Sequence, residues 1–387
     1  MLIHVAIVSD QFLPTVIPAL MHRPKLVVLV ASQPMAAKAE RLRRVLEAEG
    51  CAVDLRDQAP DAGLDRIRAY AAHLAEDLTA RWPGAELVFN ATGGNKLMTL
   101  GFVGVFRERA DRIIYTDTAH GRIEVIHDRD TQGAQPESMH DVLDVPRYLA
   151  VQGFRYSGSV SDDASRVARI QARGEMAKAL ADQAARSGGF IGFINGVAHR
   201  AMDEQGHELV QPVQRLNEAL HGEWRARFEQ FVQAGLLKPE GTRAVRFSDL
   251  ESARFLGGGW LEEYAFMRAR EAGLFDVRMG VTGAWEGATS AKNEFDVLAC
   301  HRNRMLFIEC KTLRWDGRKE LDNDVAYKVK SLGEDVRGLL GDTWVLAAQE
   351  PSPTLRDRAK QAGFQVLSPK GLSILTGWLN LWKQGQS

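Results

Sequence analysis

Five short apolar runs recur through the first third of this chain, at residues 2–8, 26–30, 51–55, 86–90 and 112–115. They are rich in Val, Ile and Leu, and each has the length of one strand. Segments of helical character separate several of them, from about 35 to 49 and from about 64 to 80, with a third beginning near Asn95. Strands alternating with helices dictate a parallel sheet covered by helices, because parallel neighbours need a long crossover between them. Ligands of such sheets sit beyond the C-terminal ends of the strands, so binding residues are expected in the loops there.

This pattern stops near residue 118, and 387 residues favour two or three domains. Residues 1–148 are read as the first domain. A small polar segment at 157–163 fits a boundary or an exposed loop. Residues 149–250 are read as mainly helical, with one helix over 164–186 and one or two over 214–235. A turn at Lys238–Gly241 and an extended piece at Val245–Phe247 follow, which fits a helical linker bundle or a winged helix. From 251 to 387 the chain returns to α/β character.

Apolar residues make up 45% and charged residues 26%, as in a globular protein. The formal net charge of −1 gives no global attraction to nucleic acid, so any such site has to be local. Cys51, Cys300 and Cys310 are too few and too scattered for a disulfide framework or a zinc site. The first residues read as a strand rather than a signal peptide, and no stretch has the length and apolarity of a membrane span. A reducing, cytoplasmic setting without membrane contact is expected.

The densest chemistry lies in Asn293-Glu294-Phe295-Asp296-Val297-Leu298, a turn at His301–Arg304, and Met305-Leu306-Phe307-Ile308-Glu309-Cys310-Lys311. The pattern predicts a β-hairpin. Glu309 and Lys311 are two apart and share a face, and Asp296 reaches the same point from the neighbouring strand. Two carboxylates beside a lysine suit Mg²⁺ or Mn²⁺, with the carbonyl of Cys310 as a further oxygen donor. Such an ion activates water against a phosphodiester, and Lys311 can orient that water or neutralise developing charge. His301, Arg302 and Arg304 in the turn, and Lys328 and Lys330 on a helix expected over 323–340, are candidate phosphate contacts or simply solvated charges.

A second cluster is Asn90-Ala91-Thr92-Gly93-Gly94-Asn95-Lys96-Leu97-Met98, which follows a strand and opens a helix. A glycine turn at a helix N-terminus presents N–H groups to an anion. Thr92 and Asn95 add hydrogen bonds and Lys96 a charge. Ser9-Asp10-Gln11 ends the first strand on the same edge, and Thr116 joins that rim. A plain strand–turn–helix with a solvated lysine explains the motif equally well.

The Asp296 and Glu309-Cys310-Lys311 pattern resembles the PD-(D/E)xK, or restriction-endonuclease-like, nucleases. Their frequent glutamate from the first helix of the domain maps to Glu262, or to its neighbour Glu263, in Gly258-Gly259-Trp260-Leu261-Glu262-Glu263. Only one of the two adjacent side chains is expected to face the site. Combined with the N-terminal motifs, the whole chain resembles the CRISPR-associated ancillary nucleases that carry a Rossmann-like CARF sensor. That resemblance implies a homodimer that binds a cyclic oligoadenylate, commonly cyclic tetra-adenylate, and then cuts DNA, RNA or both. It assigns Ser9, Asp10, Gln11, Thr92, Gly93, Gly94, Asn95, Lys96 and Met98 to the messenger site. A ligand-responsive transcription regulator with a winged helix at 214–248 is one alternative. Others are a messenger-independent DNA endonuclease and an inactive binding protein that keeps the fold.

Overall fold

The computed structural model describes residues 1–131, 133–186, 188–288, 293–312, 329 and 341–386. Its N-terminal sheet has seven strands: β1 (Leu2–Ile7), β2 (Leu26–Val30), β3 (Ala52–Arg56), β4 (Glu86–Asn90), β5 (Arg112–Asp117), β6 (Arg122–Asp128) and β7 (Glu137–Ser138). Their spatial order is β3-β2-β1-β4-β5-β6-β7. The first five are parallel, and β6 and β7 are added antiparallel. The central β2 is buried along its whole length, which explains why its sequence is apolar without alternation. Helices α1 (Leu13–His22) and α2 (Ala36–Ala48) pack on one face, and α3 (Leu64–Arg81) and α4 (Lys96–Arg109) on the other.

After α5 (Val145–Gln152) the chain enters a second sheet sooner than the polar segment 157–163 predicts. Strand β8 (Phe154–Gly158) pairs with β12 (Asp276–Trp285) at the edge of that sheet. Phe154 is the reason: it is buried and packs edge-on against Trp285 and Phe295, with ring centroids 5.2 and 5.3 Å away.

The middle segment holds α6 (Ala164–Ala172), α7 (Gly174–Ala184), α8 (Gly188–Ala201) and α9 (Gly222–Gln233). The single helix expected over 164–186 is therefore two. Gly174 opens the second one, where an added Cβ would lie 3.0 Å from the sulfur of Met267. Strands β9 (Val213–Arg215), β10 (Leu237–Pro239) and β11 (Ala244–Phe247) form a small antiparallel sheet beside them. The hairpin expected at 238–247 is present, but the helix expected from 214 begins only at Gly222, and residues 214 and 215 belong to a strand.

The second sheet has the order β16-β15-β14-β13-β12-β8. Its remaining strands are β12 (Asp276–Trp285), β13 (Asn293–His301), β14 (Arg304–Lys311), β15 (Asp342–Ala347) and β16 (Gln365–Leu367). Strands β12 to β14 run antiparallel, and β14 to β16 parallel. Before it come α10 (Leu250–Arg254), one π-helical turn over residues 255–259, and α11 (Trp260–Glu271), which covers one face.

The β13–β14 turn joins the two halves of the molecule. Arg302 and Asn303 are both left-handed, at φ 52° and 55°, as a two-residue hairpin of this hand requires. The buried Asn303 side chain accepts from the backbone N–H groups of Val142 and Leu143 and donates to the carbonyl of His140. His301 lies near Asp141, and Arg304 binds Asp342 and stacks on Trp382. One apolar core runs from α1 and α2 through α5 to Phe295, Cys300 and Phe307. Among the described residues no helix is long and apolar enough to cross a membrane. Lys328, Lys330 and the helix expected over 323–340 lie outside them.

Candidate functional site

In the second sheet the hairpin register places Val297 opposite Ile308, and hence Asp296 beside Glu309. Alternation along β14 then divides its last residues. Cys310 turns into the core under α11, where burial and the nearby carboxylates push its thiol pKa well above the usual range. Its backbone N–H donates to Asp296 Oδ2 at 2.7 Å. Glu309 is fully buried, and Lys311 Nζ donates to its Oε1 at 2.5 Å. Burial would lower the lysine pKa, but the negative charges of Glu309 and Asp296 outweigh it and raise it. Lys311 is therefore a fixed cation.

The two glutamates of α11 part company. Glu262 has its carboxyl pKa raised well above the usual range, by burial first and then by the charges of Asp296, Glu294 and Glu309. It belongs to the acidic cluster. Glu263 instead turns to Arg173, whose Nε donates to it at 3.2 Å. Burial still pushes its pKa up to about 7. The π-helical turn sets this orientation. Gly258 sits there at φ 142°, and a Cβ on it would lie 2.8 Å from the Thr312 hydroxyl, just past Lys311. Among the described residues no group of three or more His, Cys, Asp or Glu side chains is arranged to hold a metal ion as it stands. The oxygen-rich donors Asp296, Glu309 and Glu262 nonetheless suit a hard divalent cation. Such an ion would offset the burial, and relieve the repulsion, that together raise the Glu262 pKa.

A cleft of about 700 Å³ opens beside this cluster, between the middle segment and the second sheet. Glu262, Glu263 and Glu294 lie on its wall with Arg166, Arg169 and Arg254. The sequence reading missed these arginines. The signal for Arg166 and Arg169 was their three-residue spacing along one helix, which is legible only once that helix is known to face the cluster.

In the first sheet the expected binding residues gather at the C-terminal ends of β1, β4 and β5, but most are occupied with the fold itself. The Thr92 hydroxyl donates to Asn90 Oδ1 at 2.6 Å and accepts from the Thr116 N–H at 2.7 Å. Thr116 is buried and donates to the Pro14 carbonyl. Asn95 caps α4 by accepting from the Met98 N–H at 2.9 Å, and its amide donates to the Asp61 carbonyl. The Met98 side chain is buried in the core against β1 and β4. Gly93 is required sterically, since a Cβ there would lie 1.9 Å from the Ile7 carbonyl oxygen. Gly94 has φ 82° and would meet the Ile7 side chain. Asp10, Gln11, Asn95 and Lys96 are exposed and Ser9 is half-buried. Ser9 and Gln11 bond to one another, and Asp10 pairs with Lys38 of α2.

Residues 3–148 match the family model of the Card1 CARF domain, and residues 249–385 match that of the Card1-like endonuclease domain. Among solved structures, the chain is similar to protein VC1899 from Vibrio cholerae, at 23% identity and a TM-score of 0.84, covering 100% of this chain and 98% of that one. It is also similar to Can2 from Sulfobacillus thermosulfidooxidans in complex with cyclic tetra-adenylate, at 23% identity and a TM-score of 0.73, covering 98% and 97%. A type III CRISPR defence DNA nuclease activated by cyclic oligoadenylate matches at 17% identity and a TM-score of 0.54. There, 91% of this chain spans 47% of the other. No curated protein sequence matches.

Proposed function

From a chain that joins a Card1 CARF domain to a Card1-like endonuclease domain, and so belongs to the CRISPR-associated ancillary nucleases, we propose a metal-dependent endonuclease switched on by a cyclic oligoadenylate. The observation that carries the nuclease half is the buried Glu309, held by Lys311 beside Asp296, with the Glu262 carboxyl buried close enough to feel the charge of both. Asp296, Glu309 and the Cys310 carbonyl would hold Mn²⁺ or Mg²⁺, with Glu262 completing the acidic wall. The ion would polarise the scissile phosphodiester and make a bound water acidic. Lys311 keeps its proton and sets a positive charge against the phosphate. Glu263 plays no direct part and anchors Arg173.

Support for the sensor half comes from the loop rim. Lys96 stands exposed at the N-terminus of α4, where unpaired N–H groups favour an anion. Next to it, Leu97 and Leu100 are exposed apolar side chains, at 37% and 66%, which fits a second copy of the chain closing over a two-fold symmetric ligand. The Can2 structure with cyclic tetra-adenylate makes that ring the first messenger to try. The regulator reading has less behind it. On α9, Arg225 pairs with Glu229 and Arg227 with Glu223, so that helix presents no concentrated basic face.

The test is cleavage of single-stranded RNA, single-stranded DNA and supercoiled plasmid with Mn²⁺, with and without cyclic tetra-adenylate, beside Glu309→Ala. Cleavage that needs metal, messenger and Glu309 is the expected result and ranks the substrates. Glu309-dependent cleavage indifferent to the messenger would remove the switch and leave the nuclease.

A further inference from the structure

Helix α6 is held to the protein by very little. Of its nine residues only Ile170 is buried, and Asp163 caps its N-terminus. The capped helix nevertheless stands beside the endonuclease cleft and turns Arg166 and Arg169 into it. Both arginine side chains are about half exposed, at 52% and 53%. Their acidic neighbours are exposed as well: Asp163 lies 3.8 Å from Arg166 and Glu251 lies 3.4 Å from Arg169. Ion pairs of this kind are weak, so a phosphate can take either arginine from its partner. Arg254 of α10 also lines the cleft, with its Nε held by the Gly206 carbonyl at 2.7 Å.

Arg166, Arg169 and Arg254 share the wall of the cleft with Glu262 and with Glu294, which lies on the same strand as Asp296. A polyanion is drawn to the arginines and repelled by the acids until a cation neutralises them. The overall charge of −1 gives no such attraction elsewhere on average, so the local stripe has to supply it.

Resting on the nuclease reading above, we propose that α6, with Arg166 and Arg169 and with Arg254 near them, is the track on which the sugar–phosphate backbone of the substrate lies as it enters the active site. Arginine pairs with phosphate oxygens whatever the base, so the track grips nucleic acid without reading its sequence.

The experiment measures binding of fluorescein-labelled single-stranded DNA, single-stranded RNA and duplex DNA by anisotropy. It uses the full chain with cyclic tetra-adenylate, Ca²⁺ in place of Mn²⁺, and a series of salt concentrations. The double variant Arg166→Ala/Arg169→Ala is expected to weaken binding by at least about tenfold. It should also lower the slope of log affinity against log salt by about 1.4 on single strands, or about 1.8 on duplex. Arg166→Lys/Arg169→Lys should recover most of that slope, because a lysine still neutralises a phosphate; a purely structural role would not be rescued in this way. The substrate arm with the larger change identifies the strand that uses the track. Unchanged affinity and slope in the alanine variant, or no binding of any nucleic acid by the native chain, would overturn the proposal. Glu309→Ala, carried through this binding assay and through the Mn²⁺ cleavage assay above, separates the two readings. If it cleaves like the native chain, the catalytic assignment fails while the binding result still decides the track.

Discussion

The rim of the first sheet and the hairpin of the second were both picked out by sequence as clusters of polar residues at strand ends, yet they are built in opposite ways. At the rim, Thr92, Asn95 and Thr116 spend their hydrogen bonds on the protein's own backbone, and the glycines are there because nothing larger fits against Ile7. The exposed Lys96 and Asn95, the Ser9–Gln11 loop and backbone groups face outward to meet a ligand. In the hairpin the ionisable groups are driven together. Glu309 is buried against Lys311, and Glu262 is kept near Asp296 at the cost of a raised pKa. A binding rim can be made of satisfied groups around an open edge. A site that activates water needs charges that are not at rest until their ligand arrives.

The contrast can be broken most sharply at Glu309. Glu309→Ala should lower cleavage on the order of 10³-fold or more, by kcat, while leaving messenger affinity unchanged by calorimetry. The rim should answer differently. Gly93→Ala should cost about 3 kcal/mol or more in a urea melt, because its Cβ would drive into backbone rather than a movable side chain. Activity would then be lost through folding rather than chemistry.

The two halves should also diverge with pH. Burial and the neighbouring His22 and Arg112 lower the pKa of His4 in β1 to about 3. That histidine stays neutral in the fold, so its contribution is present at neutral pH and is lost as pH falls below about 6.5, on the order of 2 kcal/mol by pH 5. Glu263 has the opposite sign. With its pKa raised to about 7, its contribution is full below the ordinary carboxylate range of about 4.3 and is lost as pH rises through 7, on the order of 3–4 kcal/mol. Amide exchange should show the first sheet loosening toward acid and α11 loosening toward base. His4→Gln and Glu263→Gln should each flatten their own half of the profile; a single common profile for both would break the contrast.

Two smaller effects sharpen it. Lys96→Ala should weaken messenger binding by about tenfold without moving the melting temperature, since the side chain is exposed and supports nothing around it. Glu286, at the end of β12, accepts from Arg41 and Arg44 of α2, whose other end carries Lys38 beside Asp10 at the rim. Glu286→Ala should cost no more than about 1 kcal/mol of stability, because the pairs are partly exposed. It should lower the ratio of messenger-stimulated to basal cleavage if α2 relays the rim to the hairpin. An unchanged ratio would assign these bridges to docking alone.

Sequence periodicity found the five parallel strands of the first sheet and the hairpin of the second, because a buried strand must be apolar along its length and a tight turn favours glycine or asparagine. It was weaker between the sheets. Nothing in Ser157–Asp163 marks Phe154–Gly158 as a strand, since its pairing partner is over a hundred residues away in β12. Helix α8 was not foreseen, although Phe190, Ile191, Ile194 and Val197 are spaced for one buried face.

What the sequence alone determined is the inventory. It supplied a parallel sheet with a glycine turn at its mouth, a hairpin carrying Asp296, Glu309 and Lys311, and a helix offering two adjacent glutamates. These follow from local rules, in which side chains alternate on a strand and a glycine permits what other residues cannot. The tertiary structure decided the rest. It turned Glu262 toward the acids and Glu263 toward Arg173, used the Arg302–Asn303 turn to join the two halves, and stood the α6 arginines at the cleft. Each of those choices depends on which distant surface a helix or turn packs against, and neighbours in space leave no trace in the spacing of neighbours in sequence.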